Sequence, residues 1–127
     1  MSALLGLAMV VTAPDPTPAL EAVKTCNKQD LRRMITDEPH RRTQFAAGVY
    51  AEQREIAQER AALLSAPASG SASGQATAAT ALAQVDARQK QLDDVKAIET
   101  SWRALFDEVR ADFLANCTSG RRNADDK

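Results

Sequence analysis

The chain has 127 residues, with 16 Lys and Arg against 17 Asp and Glu and a formal net charge of -1. A balance so close to neutral produces no broad positive field that would attract nucleic acid or an anionic membrane, and we expect no nucleic-acid partner. Hydrophobic residues make up 44% of the chain but aromatics only 4%. Such a composition allows one domain at most, with a thin core that needs a covalent link or a partner.

The first thirteen residues form an apolar run that is too short to span a bilayer and has the length of a secretory h-region. No basic residue precedes the run, so a start further upstream, a weak signal and a buried or frayed terminus all stay open. Small residues favour cleavage after Ala19, and Ala13 is a second position that Pro14 disfavours. We predict a signal peptide and spacer over residues 1–19, and a periplasmic or secreted protein without a transmembrane anchor.

A first helix is predicted to enter at Ala19, because Thr17 and Pro18 make a good N-cap and N1 pair. Apolar residues then recur at helical spacing. They are Leu20, Val23, Leu31, Met34 and Ile35.

Pro39 is predicted to interrupt this first arm. Its ring would clash with the carbonyl of Ile35 in a continuous helix, so the first helix should end near Thr36. Thr36 or Asp37 can cap a new start. We expect a kink near Pro39, followed by a longer helix from about Pro39 to Leu64.

The longer helix carries an apolar stripe that two glutamates, Glu52 and Glu59, interrupt. The stripe consists of Phe45, Val49, Ile56 and Leu63, widened on one side by Tyr50, Ala57 and Leu64. Residues 65–75 follow as a stretch of Ala, Ser and Gly with one Pro and one Gln. Its composition predicts a flexible connector with nothing to bind phosphate.

The second arm has the clearest helical pattern in the chain. Its apolar residues follow steps that are mostly of three and four, and the next step of four lands on Cys117. They are Val85, Leu92, Val95, Ile98, Trp102, Phe106, Val109 and Phe113. Gly120 lies where a helix C-cap is expected, and residues 118–127 are predicted to be a disordered polar tail.

Two cysteines lie at comparable distances from the connector: Cys26 is 39 positions before Ser65, and Cys117 is 41 positions after Ala76. An antiparallel hairpin would therefore bring the two sulfurs together, and their spacing excludes a CxxC redox motif. On a continuous first helix Cys26 would reach the apolar stripe only from its edge, roughly 120° from the centre. The alternative is a pair of reduced cysteines packed as small apolar residues.

These features predict an all-α fold: an antiparallel two-helix hairpin, coiled-coil-like, kinked near Pro39 and closed by a Cys26–Cys117 disulfide. The hairpin domain would span residues 20–117. In the register that the cysteines set, paired residue numbers sum to about 143, so Glu55 should face Arg88 and Glu52 should lie near Lys90. Arg33 opposite Arg110 is a poor match, so charge pairing neither determines this register nor excludes it.

Residues with catalytic or ligand chemistry are sparse. His40 is the only histidine, so the sequence predicts no metal site, no Ser–His pair and no cofactor. The densest positive patch is a pair of arginine doublets, and it is a candidate contact for phosphates or lipid headgroups. The doublets are Arg32, Arg33, Arg41 and Arg42.

Four large side chains lie just beside the predicted interhelical stripe, and they are candidates for a partner surface. They are Tyr50, Leu64, Leu105 and Leu114. An apolar stripe wider than one facing helix can cover would favour a homodimer arranged as a four-helix bundle.

Three functional hypotheses follow. The first is a non-enzymatic exported module that binds a protein partner or a second copy through its helical faces. The alternative is an envelope chaperone-like or stress-related protein that holds unfolded clients. An enzyme or enzyme accessory is the third and is disfavoured, because no acidic or histidine cluster converges in the sequence.

Overall fold

The computed structural model describes residues 11–65 and 72–118, and no strand occurs within these two ranges. The predicted all-helical class is therefore confirmed for the part of the chain described. The elements in chain order are α1 (Thr17–Lys24), α2 (Lys28–Ser65), α3 (Ala72–Asp112) and a π-helical turn at Phe113–Cys117.

Helix α1 begins at Thr17, where the backbone N–H donates to the carboxylate of Asp15 at 3.0 Å. Pro18 lies in the first turn, where its missing N–H removes no intrahelical hydrogen bond. The buried residues of α1 are Ala19, Ala22 and Val23. Leu20 is exposed, so its predicted place in the apolar stripe is wrong.

The chain breaks between α1 and α2 at a left-handed residue, Cys26, whose φ is 49°. The Cys26 N–H donates to the carbonyl of Val23 at 3.2 Å, and the Asn27 N–H donates to that of Ala22 at 2.9 Å. These two bonds form the Schellman pattern that closes many helices, although glycine is the usual residue at the left-handed position. The prediction that the first helix continues to Thr36 is therefore wrong.

Asn27 also begins α2. Its side-chain oxygen accepts the Asp30 N–H at 3.1 Å, and its side-chain amide donates to the Asp30 carboxylate at 2.9 Å. This reciprocal N-cap satisfies a free donor of the first turn and places a negative charge at the helix N-terminus. A single residue thus ends one helix and starts the next.

Helix α2 continues through Pro39 without interruption. A proline inside a helix removes one hydrogen bond, here the bond to the carbonyl of Ile35. Residues on both sides of it contact α3, as described below, and those contacts offset the local loss. The predicted helix end near Thr36 and the new cap at Thr36 or Asp37 are therefore not present, and the interruption lies at residues 25–27.

The chain divides into two compact units. Of the described residues, the first unit, called here the Ile56 unit, comprises Val11 and Thr12 together with those of Phe45–Lys96. The second, called the disulfide unit, comprises Ala13–Gln44 together with residues 97–118.

The disulfide unit contains the predicted bridge: Cys26 and Cys117 are bonded, with their Cα atoms 5.4 Å apart. Both cysteines are buried. The edge position expected for Cys26 is not observed, because the left-handed turn ends α1 before this residue and redirects it into the core. The other buried residues of that core are Ala19, Ala22, Val23, Leu31, Trp102, Phe106, Val109 and Phe113.

The Ile56 unit has a smaller core of Ile56, Val85 and Leu92, against which Val11, Val49 and Leu63 pack. Arg88 of α3 lies within salt-bridge distance of three glutamates of α2. They are Glu52 at 2.8 Å, Glu55 at 3.5 Å and Glu59 at 2.7 Å. The expected Glu55–Arg88 pair is thus present, whereas Lys90 pairs with Asp94 on its own helix at 3.7 Å.

The helices reach into the stretch predicted as a connector. Ser65 is the last residue of α2, and residues 72–75 belong to α3, so residues 66–71 are the part of the predicted loop outside the described residues. Residues 1–10 and 119–127, which include most of the predicted signal segment and nearly all of the predicted tail, also lie outside them. None of the described helices combines the length and the apolar character needed to cross a membrane.

Candidate functional site

The apolar face of α3 in the disulfide unit includes a carboxylate. Glu99, Phe106 and Phe113 are spaced seven residues apart and all three are buried. Glu99 thereby takes the core position that the sequence pattern assigned to Ile98, which is exposed. The two positions differ by only about 100° around the helix, so the choice between them depends on what packs opposite.

A second buried carboxylate, Glu38 of α2, lies in the same unit. Glu38 is 5% exposed and Glu99 is 3% exposed. The Arg41 guanidinium bridges the two, with Nη2 at 2.6 Å from Glu38 Oε1 and at 2.8 Å from Glu99 Oε2. Its Nη1 also donates to Glu99 Oε1 at 2.8 Å. We call these residues and the side chains that bond to them the Glu38–Glu99 cluster.

Trp102 completes the cluster from α3. Its indole Nε1–H donates to Glu38 Oε1 at 2.9 Å, and the Arg41 guanidinium carbon lies 5.6 Å from the centre of its ring. Arg42 donates to the same Glu38 oxygen at 3.1 Å, and Arg103 donates to Glu99 at 2.7 Å. Each buried charge is therefore opposed by at least one opposite charge within hydrogen-bond distance.

The pKa of both glutamates is lower than usual. Burial by itself raises the pKa of Glu38, but hydrogen bonds from Arg41, Trp102 and Arg42 favour its ionised form and outweigh burial. The pKa of Glu99 is lowered in the same way: burial raises it, but hydrogen bonds from Arg41 and Arg103 outweigh burial. The pKa of Arg41 is raised because its bonds to Glu99 and Glu38 outweigh its own burial. All three groups stay charged at neutral pH.

The cluster is built to hold charge in place and is poorly suited to proton transfer. A general acid or base needs a pKa near the working pH and access to a substrate, and these carboxylates have lowered pKa values and oxygens already occupied by donors. Among residues 11–65 and 72–118, no buried side-chain nitrogen or oxygen lacks a hydrogen-bond partner. Within the same ranges, no three His, Cys, Asp or Glu side chains converge as metal ligands.

A cavity of about 270 Å³ adjoins the cluster within the disulfide unit. Its apolar walls come from α1, α2 and α3, while carboxylates and one arginine supply its polar part. The apolar lining residues are Pro18, Ala19, Met34, Trp102 and Phe106, and the charged ones are Asp15, Asp37, Glu38 and Arg41.

The four arginines of the predicted anion contact lie in two different settings. Arg32 and Arg33 are exposed, and Arg33 pairs with Asp30 at 3.1 Å. Arg41 and Arg42 both bond to Glu38. The second doublet therefore serves the internal cluster, and an incoming phosphate would have to compete with buried carboxylates for it.

The four residues of the predicted partner surface lie in different units and differ in exposure. Tyr50 and Leu64 are 70% and 69% exposed and belong to the Ile56 unit. Leu114 is exposed and belongs to the disulfide unit. Leu105 is partly buried and packs against the core of the disulfide unit.

Sequence reasoning missed the Glu38–Glu99 cluster. It placed a new helix start at Thr36 or Asp37, directly before Glu38, and treated Trp102 as an apolar core residue. A usable signal was present: Glu99 lies seven residues before Phe106 on the buried face, and Arg41 lies three residues after Glu38, where an ion pair on one helix is favourable.

Comparison with known proteins assigns no relative to this chain. No protein-family model matches it, and no curated protein and no solved structure shows significant similarity. The function must therefore be inferred from the geometry described above.

Proposed function

We propose that this chain is an exported, non-enzymatic helical module that binds a protein partner or a second copy of itself through one face of α2. The predicted two-helix hairpin is part of this proposal. Within each unit, later residues of α2 contact earlier residues of α3. The pairs are Glu38–Trp102 and Arg41–Glu99 in the disulfide unit, and Gln53–Gln89 and Arg60–Asp86 in the Ile56 unit. That pairing supports an antiparallel arrangement of the two long helices.

The observation that carries the binding proposal is an exposed apolar stripe on α2 in the Ile56 unit. Its two large members, Tyr50 and Leu64, are 14 residues apart, which places them on the same face of the helix. Smaller exposed residues extend the stripe at helical spacing. The set consists of Ala46, Tyr50, Ala57, Ala61 and Leu64, called here the α2 outer stripe.

Such a stripe suits an amphipathic helix as partner. Residues spaced by three, four and seven lie on one side of a helix, which is how one helix presents a surface to another. The alanines allow close approach of the backbones, and a tyrosine contributes a large rigid contact area with a polar tip. A partner helix would remove Tyr50 and Leu64 from water without disturbing the core of the unit.

The disulfide supports export, because such bonds form and persist chiefly in oxidising compartments. We further propose that a leader, when removed, is cut at Ala13, before α1. Cleavage after Ala19 would remove the first turn of α1 together with a residue that is 1% exposed in the core. Intact mass of the exported protein distinguishes the two sites, and alkylation before and after reduction shows whether the bridge has formed.

The binding proposal is tested by paired substitutions on α2. Tyr50→Ser with Leu64→Ser should abolish self-association measured by sedimentation equilibrium, or abolish photo-crosslinking from position 57. Arg54→Ser with Gln58→Ser changes two exposed polar residues of the same helix and should leave both readouts unchanged.

Two results would count against this function. Equal effects of both double variants would show that the stripe has no special role. If the wild-type chain neither self-associates nor crosslinks, but suppresses the aggregation of a denatured model protein, the chaperone-like alternative is favoured.

A further inference from the structure

We propose that the cavity beside Trp102 is a binding site for a small organic cation, in which an ammonium or guanidinium group is carried on an apolar body. This site lies in the disulfide unit and does not involve the α2 outer stripe, so it stands independently of the function proposed above.

The size and walls of the cavity suit the apolar body. Its volume of about 270 Å³ is close to the lower end of the range for small-molecule pockets, roughly 300–1,000 Å³. Met34, Trp102 and Phe106 supply a thioether and two aromatic rings to the lining. The two rings are 5.6 Å apart and inclined at 45°, so together they form an angled apolar wall.

The charges of the cavity suit the cation. Asp15 and Asp37 line it and are exposed. The Asp15 carboxylate accepts the Thr17 N–H, which lowers its pKa, and no arginine or lysine among the described residues pairs with Asp15 or Asp37. Both carboxylates are therefore available to pair with an incoming positive charge.

Arg41, the one cation among the described lining residues, does not neutralise Asp15 and Asp37. Arg41 is bonded to Glu38 and Glu99, so its charge is already matched inside the cluster. The lining that includes Asp15, Asp37, Glu38 and Arg41 therefore carries a formal excess of negative charge. An anionic ligand would have to desolvate beside these carboxylates, which is unfavourable.

The arrangement also orients the ligand. Arg41 lies over the ring of Trp102, and Arg42 lies over the ring of Phe106 at 5.7 Å. A second positive charge placed on these rings would be repelled, so the cationic group belongs near Asp15 and Asp37 and the apolar body belongs against the rings. This separation selects an amphiphilic amine over a compact inorganic cation.

Binding is measured on the full oxidised chain with three probes that share a phenylethyl body, phenethylamine, 2-phenylethanol and 3-phenylpropionate, and with a capped lysine peptide as a fourth probe. Trp102 is the only tryptophan, so its fluorescence reports directly on the cavity, and calorimetry gives the affinity independently. We expect saturable binding of the amine at about 1 mM or tighter, at least tenfold weaker binding of the alcohol, and no measurable binding of the carboxylate.

Two double variants that remove the same number of negative charges distinguish binding at the cavity from attraction by the overall charge of the chain. Asp15→Asn with Asp37→Asn should weaken amine binding at least tenfold and leave binding of the alcohol unchanged. Glu21→Gln with Glu108→Gln removes two exposed carboxylates outside the cavity and should leave amine binding within twofold of wild type. Helical content by circular dichroism should be the same in all three proteins, since every substituted residue is exposed.

Four outcomes overturn the proposal. They are no saturable binding of the amine up to about 10 mM, equal binding of the amine and the carboxylate, equal losses in the two double variants, and binding of a capped lysine peptide with no binding of the free amine. The last result would assign the cavity to a protein side chain, and equal losses in the two double variants would attribute amine binding to the overall charge of the chain. The first two results would leave the cavity without a selective cation ligand.

Discussion

The indole Nε1–H of Trp102 donates to Oε1 of Glu38 at 2.9 Å, and both side chains are buried. This bond connects α3 to α2 across 64 positions of sequence. The same carboxylate oxygen also accepts from Arg41 and Arg42. If the two helices slipped by one turn in the disulfide unit, a buried charge would lose its partners, so the cluster favours a single register.

Trp102→Phe tests the indole bond. The substitution keeps an aromatic ring but removes the donor to a carboxylate, and we expect a loss of about 1.5–3 kcal/mol in the free energy of unfolding. In a double-mutant cycle with Glu38→Gln, followed by circular dichroism in urea, the two losses should be non-additive by about 1 kcal/mol or more. Strict additivity would show that the two side chains do not interact energetically.

Arg41→Met tests the charge balance of the cluster. It leaves Glu38 and Glu99 buried with less positive charge, so we expect a loss of about 3–5 kcal/mol in the free energy of unfolding. Arg60→Met is the matched control, because Arg60 pairs with an exposed Asp86 at 2.6 Å and such pairs contribute about 0–1 kcal/mol. Similar losses in the two variants would contradict the assigned role of Arg41.

The lowered pKa values of Glu38 and Glu99 predict sensitivity to acid. In the unfolded chain both carboxyls titrate near the ordinary value of 4.5, whereas the folded state holds them ionised to lower pH. Their contribution is therefore complete above about pH 4.5 and is lost as the pH falls through the folded pKa values, because the unfolded state then binds more protons. Thermal unfolding between pH 3 and pH 7 measures this loss.

Glu38→Gln with Glu99→Gln should flatten that pH profile below about pH 4.5, although the variant is less stable at pH 7 because Arg41 loses its counter-charges. Glu21→Gln with Glu108→Gln provides a control with the same number of exposed carboxyls removed and should keep the wild-type profile. An unchanged profile in the cluster variant would place the acid sensitivity elsewhere in the molecule.

The Cys26–Cys117 bridge closes a separation of 91 residues. In the chain-entropy account a loop of that length stabilises the folded state by about 4–5 kcal/mol, which is comparable to the total stability of a small domain. Cys26→Ser with Cys117→Ser should therefore lower the urea midpoint strongly without changing the helical signal of the remaining folded protein. Reduction and alkylation of the wild-type chain should have a similar effect, and an unchanged midpoint would refute this stabilising role.

The left-handed backbone of Cys26 makes a separate prediction. In a Cys117→Ser background, Cys26→Gly should be more stable than Cys26→Ala by about 1 kcal/mol, because glycine adopts a positive φ without steric strain. At Ala57, an exposed position inside α2, alanine should be the more stable residue. Ala57→Gly should lower the free energy of unfolding by about 1 kcal/mol. Equal stability of the two Cys26 variants would argue against a left-handed conformation when the bridge is absent.

Much of the fold could be predicted from the sequence because it depends on local periodicity. The repeat of apolar residues identified α3 and the greater part of α2. It also aligned Phe113 with Cys117 on the buried face, as the structure confirms. The cysteine positions relative to the connector then identified the bridge, since only one pairing exists for two cysteines.

The break in the first arm and the polar cluster were decided by tertiary structure. A proline carries a local penalty of about 3 kcal/mol in a helix, and contacts of its neighbours with α3, such as Glu38–Trp102 and Arg41–Glu99, offset that penalty at Pro39. Asn27 and Asp30 form a cap that competes with continuation of α1, and the bonded Cys26 occupies the left-handed position beside it.

Tertiary structure also decides that Glu99 is buried in the core while Ile98 is exposed. Helical periodicity leaves neighbouring positions about 100° apart and cannot say which one a partner helix will cover. Arg41, 58 positions away in sequence, supplies the counter-charge that makes burial of Glu99 favourable. Local pattern therefore determined that the two long segments are helical and where most of their apolar residues face, and long-range charge pairing determined that Glu38 and Glu99 are buried.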